Sequence, residues 1–304
     1  MGKAKVITVA NRRGGVGKSF CSIQLAINAA IGGPDKKNKP LKVLVVDADS
    51  QQNTTLYFLK YLGAETFHEK TLLPVNPLCD NKEVYNITDV FLGNKYMEYP
   101  TEIDNLFIIP SDGNIDNFRE EFKNHPDRKI TDGVIELFNE FIEEVEDDFD
   151  LIVIDTPPSK TYACQGALAA SSHVLIPTML DTFTVEQAIP NIIGDIERIN
   201  KNYRRSNDPL KVIGILPNKM SNINLNNYER DCLKKLTHGF KQYLHNNFYF
   251  VERLAFKIKV LPQNAQDFEY MKKKDTADQM RGFYNRVYES VLKDIYKEKE
   301  NANG

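Results

Sequence analysis

Six short runs of apolar, mostly β-branched residues punctuate the chain: Val6–Ala10, Val43–Val46, Leu106–Ile109, Leu151–Ile154, Val174–Ile176 and Val212–Leu216. None alternates with polar residues, which predicts strands buried on both faces rather than strands with one wet side. Between several of them the apolar positions recur at helical spacing, over Lys18–Ile31, Gly133–Val145, Val185–Asn200 and Tyr228–Asn246. Strands alternating with helices require crossover connections, so the expected fold is α/β: a mostly parallel, twisted sheet with helices on both faces.

Other stretches fit around that frame. Gly32–Pro40 (GGPDKKNKP) reads as an exposed loop before the second strand. Residues 67–100 are polar, contain Pro and lack a clear period, which suggests an insertion on the core. Glu136–Asp150 carries eight acidic residues and no basic one, yet Ile135, Phe138, Ile142 and Val145 give it an apolar helical face. A solvated acidic helix end is expected there. Met280, Phe283, Val287, Val291, Leu292 and Ile295 then predict a closing amphipathic helix over 276–298.

The chemistry concentrates at strand ends. The first strand runs into Asn11-Arg12-Arg13-Gly14-Gly15-Val16-Gly17-Lys18-Ser19, and a helix follows. Consecutive small residues let backbone N–H groups turn toward phosphate oxygens, and the helix N-terminus adds partial positive charge. In such a P-loop Lys18 reaches the β- and γ-phosphates and the Ser19 hydroxyl ligates Mg²⁺. The strict pattern requires Gly where this chain has Arg12. Two more strands end in carboxylates, Asp47-Ala48-Asp49 and Asp155-Thr156-Pro157-Pro158. Ligands of open parallel sheets sit at the carboxyl ends of the strands, so Lys18, Asp47 and Asp155 should converge. One phosphate loop and two carboxylates are the set that phosphoryl transfer to water needs.

Composition narrows the classes without choosing among them. The 304 residues carry 39 Lys+Arg and 42 Asp+Glu, a net charge of −3, and 41% are apolar. Those figures exclude a collagenous, disulfide-rich or wholly disordered chain. Cys21, Cys79, Cys164 and Cys232 are scattered, which argues against a disulfide framework and a multi-thiolate zinc site. No run approaches the ~20 apolar residues of a membrane span, and Val6–Ala10 is too short for a signal-peptide core. A cytoplasmic location is the expectation.

The string from Asn11 to Ser19, followed by D-x-D and by the apolar run ending in Asp155-Thr156-Pro157-Pro158, resembles the ParA/MinD family of deviant Walker-type ATPases, and most closely its short ParA-type members. The resemblance extends from residue 5 to about 290. It implies one P-loop ATPase domain over 1–304, with ATP and Mg²⁺ as cofactors and a homodimer enclosing ATP at its interface. Residues 13–20 (Arg13, Gly14, Gly15, Val16, Gly17, Lys18, Ser19, Phe20) would then bind nucleotide, with Asn218 and Pro262 near adenine. Asp47 would activate the attacking water, and Asp155, Ser19 and Asp47 would serve the metal. Arg13 falls where the family has a signature lysine that crosses to the partner subunit's phosphates. An arginine there either acts as a finger in trans or is too bulky for closure, and Arg12 beside it leaves open which of the two reaches phosphate. The family's D-x-D-P-Q reads Asp47-Ala48-Asp49-Ser50-Gln51 here, without the proline.

Charge distribution adds a partner. Between Ile199 and Val260 twelve basic residues face four acidic ones, an excess of eight, and Lys272-Lys273-Lys274 follows. Such an excess can hold phosphate backbones without reading sequence. By resemblance the ATP-bound dimer would bind nonspecific DNA, associating with the nucleoid, through Arg204, Arg205, Arg253, Lys257, Lys259, Lys272, Lys273 and Lys274. A ParB-like or other adaptor would stimulate hydrolysis in the partition of plasmid or chromosome. Two other readings remain: a weakly hydrolysing scaffold for a non-DNA cargo, and a tyrosine-kinase-like enzyme suggested by Tyr284, Tyr288 and Tyr296.

Overall fold

A computed structural model of the chain describes residues 3–33, 38–59, 73–79, 83–113, 115, 127–206, 208–218, 226–240, 292, 293 and 295. Among the described residues seven strands form one sheet: β1 (Lys5–Val9), β2 (Val43–Asp47), β3 (Tyr99–Pro100), β4 (Leu106–Ile109), β5 (Leu151–Asp155), β6 (His173–Thr178) and β7 (Lys211–Pro217). Their order is β3-β4-β2-β5-β1-β6-β7, all parallel except β3, which runs antiparallel to β4 at one edge. The doubly covered parallel α/β sheet expected from the sequence is present.

The two-residue period of each strand divides its side chains between two helical layers. Val43, Val45, Leu151 and Val153 pack on the face that holds α1 (Lys18–Ala30), together with Leu25, Ile27, Leu292 and Ile295. Leu44, Val46, Ile152 and Ile154 point to the opposite face, against α3 (Ile87–Phe91), α4 (Asp127–Val145) and α5 (Tyr162–Ala170). Farther along that face, Val174 and Ile176 pack under α6 (Ile189–Tyr203) and α7 (Asn227–Gly239). Unbroken apolar strands are therefore what this layering demands.

Element limits moved by a few residues. The acidic helix begins earlier than predicted, at Asp127. It buries Val134, Phe138, Phe141 and Val145 while Glu136, Glu140, Glu143 and Glu144 face solvent, as expected. The predicted helix over Val185–Asn200 opens with a π-helical turn, Thr184–Ala188, before α6. The stretch read as an insertion is built into the core in its second half. Ile87, Phe91 and Tyr99 are fully buried there, and β3 closes the sheet edge. A short helix α2 (Asn53–Leu59), following β2, went unpredicted and turns out to matter for the site. Of the closing helix, Leu292 and Ile295 pack on the core; the rest of 276–298 and the three tyrosines lie outside the described residues.

Candidate nucleotide site

The loop between β1 and α1 is fixed at several points. Asn11, buried at the end of β1, donates from Nδ2 to the Pro177 carbonyl at 2.6 Å. Gly15 and Gly17 adopt φ of 74° and 94°, left-handed values that side-chain-bearing residues avoid. Gly17 caps α1 in that conformation. Asn218, just past β7, donates from Nδ2 to the Val16 carbonyl at 2.7 Å, and a Cβ on Gly17 would collide with that same nitrogen. A Cβ built on Gly14 or Gly15 meets nothing within 4 Å, so the outer side of the loop is open. A curled backbone at a helix N-terminus with open space above it fits phosphate groups.

Lys18 is almost wholly buried, and its ammonium donates to the Arg13 carbonyl across the loop at 3.1 Å. Burial lowers its pKa, while the Asp155 and Asp49 carboxylates pull it back up. Asp155 is fully buried. Its Oδ2 accepts from Thr54 Oγ1 at 2.7 Å, and Ser19 and Ser22 hydroxyls donate to the same carboxyl group. Burial raises its pKa; the Ser19 and Thr54 bonds and the Lys18 charge act against that. The Ser19–Asp155 pairing is the donor set a Mg²⁺ ion uses when a hydroxyl binds directly and a carboxylate binds through water. Among the described residues no three His, Cys, Asp or Glu side chains gather into a group that could hold a metal ion.

Asp47, expected to activate the attacking water, is held on both of its oxygens. It pairs with Asp155 in the β2–β5 register and is fully buried. Thr55 N and Thr55 Oγ1 both donate to its Oδ2 at 2.8 Å, and Asp49 N donates to its Oδ1 at 3.1 Å. Burial raises its pKa, and the neighbouring Asp155 raises it further. Both of its oxygens are thus tied, to α2 and to its own loop. Asp49 lies beyond the strand end, where its charge acts on both Lys18 and Asp155. Its Oδ1 accepts from Gln51 N at 3.0 Å. The D-x-D spacing held this information, but which carboxylate is anchored depends on Thr55.

The two arginines separate. Arg12 is buried and bound to Asp195 of α6, through Nε at 2.6 Å and through Nη2; Arg198 reaches the same carboxylate at 3.0 Å and Lys160 at 3.8 Å. Arg13 stays partly exposed, its Nη1 3.4 Å from Asp181 and its guanidinium 4.9 Å above the Phe183 ring. Phe20 packs against the α1-side core. Among the expected DNA contacts, Arg204 is engaged internally: it bonds the Ala169 carbonyl, the Asp208 carbonyl and the Asp208 carboxylate, each at 2.9 Å, closing the connection between α6 and β7. Arg205, by contrast, is exposed. Arg253, Lys257, Lys259, Pro262 and Lys272–Lys274 lie outside the described residues.

The AAA_31 family, described as an AAA domain, matches residues 4–212. The chain is 27% identical over 214 residues to the chromosome-partitioning ATPase Soj of Treponema pallidum, covering 69% of this chain and 70% of that protein. Among solved structures, a McdA variant from Cyanothece in complex with ATP superposes with a TM-score of 0.69 at 17% identity, over 94% of this chain and 97% of that one. A putative plasmid partition protein from Borrelia burgdorferi bound to AMPPNP gives 0.64 at 23% identity, over 96% and 100%. Among the described residues no helix is long and apolar enough to cross a membrane.

Proposed function

The chain belongs to the AAA_31 family and is a ParA-type P-loop ATPase; from that premise we propose that it dimerises around Mg·ATP, binds DNA without sequence preference in that state, and hydrolyses ATP slowly until an adaptor protein stimulates release. The observation that carries the reading is the convergence on one loop of Lys18, Asp49, Asp155 and Ser19. Backbone N–H groups of residues 14–19 and the Lys18 ammonium hold the phosphates. Ser19 and Asp155 would hold Mg²⁺, which would supply charge neutralisation for the phosphates. Asp49, rather than Asp47, orients the attacking water. Arg13 crosses to the partner's phosphates, and Asn218 steadies the loop beside the nucleotide.

DNA binding is supported by the basic excess of the C-terminal half, in which Arg205 and the α7 residues Arg230 and Lys234 are exposed. The relative named for chromosome partitioning and the neighbour named for plasmid partition favour DNA as the cargo. A titration of nonspecific DNA with ATP, ADP or no nucleotide, at two salt concentrations, tests this. ATP-dependent binding that falls steeply with salt is expected. Binding that ignores nucleotide, or none at all, would turn the reading toward a scaffold for a different cargo.

A further inference from the structure

We propose that Asp181 is a positioning residue for Arg13: together with Phe183 it holds the arginine inside its own subunit and so sets the protein concentration at which two copies close around nucleotide. The inference rests on the reading of Arg13 as the residue that acts across the dimer interface.

Asp181, three residues past the end of β6, carries the contact on a loop with its own hydrogen bonds. Asp181 Oδ1 accepts from Thr184 N and its Oδ2 accepts from Thr184 Oγ1, both at 2.9 Å, so both oxygens are oriented by the start of the π-helical turn. On the far side Tyr228 of α7 grips the same loop, its hydroxyl 2.8 Å from Thr182 N and from Thr182 Oγ1. Arg13 meets this prepared surface with Nη1 3.4 Å from Asp181 and its guanidinium over Phe183. Phe183 is 47% exposed, which is unusual for a large aromatic residue and leaves its ring available to the cation.

A guanidinium seated against Asp181 and Phe183 must leave both of them to fork onto a phosphate of another subunit. Closure must therefore release it, and the free energy of that release adds to the cost of dimerisation. Arg12 has no such choice, because Asp195 holds it out of solvent. The contact with Asp181 and Phe183 remains partly open to water, so it restrains Arg13 reversibly rather than burying it.

The experiment measures the mass of the full-length protein against its concentration, with Mg²⁺ and a nonhydrolysable ATP analogue, by light scattering. Asp181→Asn keeps an oxygen acceptor for Thr184 N while removing the charge. It should lower the midpoint of dimerisation about tenfold, since a partly exposed ion pair corresponds to roughly two- to fivefold and two copies each release one. Phe183→Leu should shift the midpoint the same way by less, and Asp181→Glu should restore wild-type behaviour. A purely structural role for Asp181 would give weaker dimers and a lower melting temperature, not tighter dimers. An unchanged or raised midpoint in Asp181→Asn, with Arg13→Ala still blocking dimers, overturns the latch alone. If Arg13→Ala dimerises like wild type, the trans role of Arg13 fails and the latch with it.

Discussion

Arg12 and Asp195 tie the start of the phosphate loop to α6 through a buried ion pair, although 183 positions separate them in the chain. Breaking such a pair from one side leaves a buried charge behind. Arg12→Ala should therefore destabilise the fold by about 2 kcal/mol, below the roughly 3–5 kcal/mol of a fully buried isolated pair, because Arg198 and Lys160 still face Asp195. Arg13→Ala should stay within about 0.5 kcal/mol of wild type. Urea unfolding of both variants checks this, and equal losses would refute the division between the two arginines.

Gly17 and Gly14 should respond differently to alanine. At Gly17 the new methyl meets Asn218, and φ of 94° is itself unfavourable for any side chain. Gly17→Ala should therefore abolish detectable Mg·ATP binding in calorimetry. Trimming Asn218 to alanine should restore it only in part, since the backbone strain of about 1–3 kcal/mol remains. Gly14→Ala, with nothing within 4 Å, should fold with wild-type stability.

The carboxylates after β2 divide between anchoring and chemistry. Asp47→Ala strands the Thr55 N–H and hydroxyl and should lower stability by about 1–3 kcal/mol. Asp49→Ala should leave stability near wild type while reducing turnover about a hundredfold with nucleotide affinity retained. Lys18→Ala should weaken nucleotide binding by about tenfold or more. Steady-state turnover together with equilibrium binding separates the three; full turnover in the Asp49 variant would return the water-orienting role to an open question.

His173 should make the fold acid-sensitive. Burial first, and then the Lys211 and Lys5 charges, push its pKa down to about 4, below the ordinary histidine value of 6.5. The unfolded chain therefore takes up a proton that the folded chain resists, so this contribution is intact above pH 6.5 and is lost as pH falls toward 4. Between pH 6.5 and 5 the loss should be on the order of 1 kcal/mol after allowing for partial solvent exposure. Melting temperatures of wild type and His173→Gln over that range should diverge, with the variant the flatter of the two.

What the sequence revealed was whatever is written locally. A strand buried on both faces needs an unbroken apolar run, so β1, β2, β4, β5, β6 and β7 were each readable from a few consecutive residues, and the glycines before Lys18 announced the phosphate loop. β3 was not readable, because two residues carry no period and only pairing with β4 makes Tyr99 and Pro100 a strand. The partners of Arg12 and Arg13 lay beyond reach for a similar reason: Asp195 and Asp181 approach the loop only once β6 lies beside β1. The sequence reading gave the water to Asp47 and nothing to Asp49, because the hold of Thr55 on Asp47 exists only once α2 has folded back.

The bond from Asn218 to Val16 has a further consequence for the sheet. Asn218 immediately follows β7, the last strand of the sheet among the described residues, yet its amide fastens onto the loop that leaves the central strand β1, passing over β6. A slip of one residue in a strand's pairing displaces every side chain along it. Here a slip of one residue would bring Pro217, which has no side-chain amide, against the loop, and the Val16 carbonyl would lose its partner. The phosphate loop thus acts as a gauge for the alignment of β6 with β7, whose register already shifts once, between Val174 and Leu175. Insertions or deletions in that distant strand should be felt first as a misshapen nucleotide site rather than as a frayed strand.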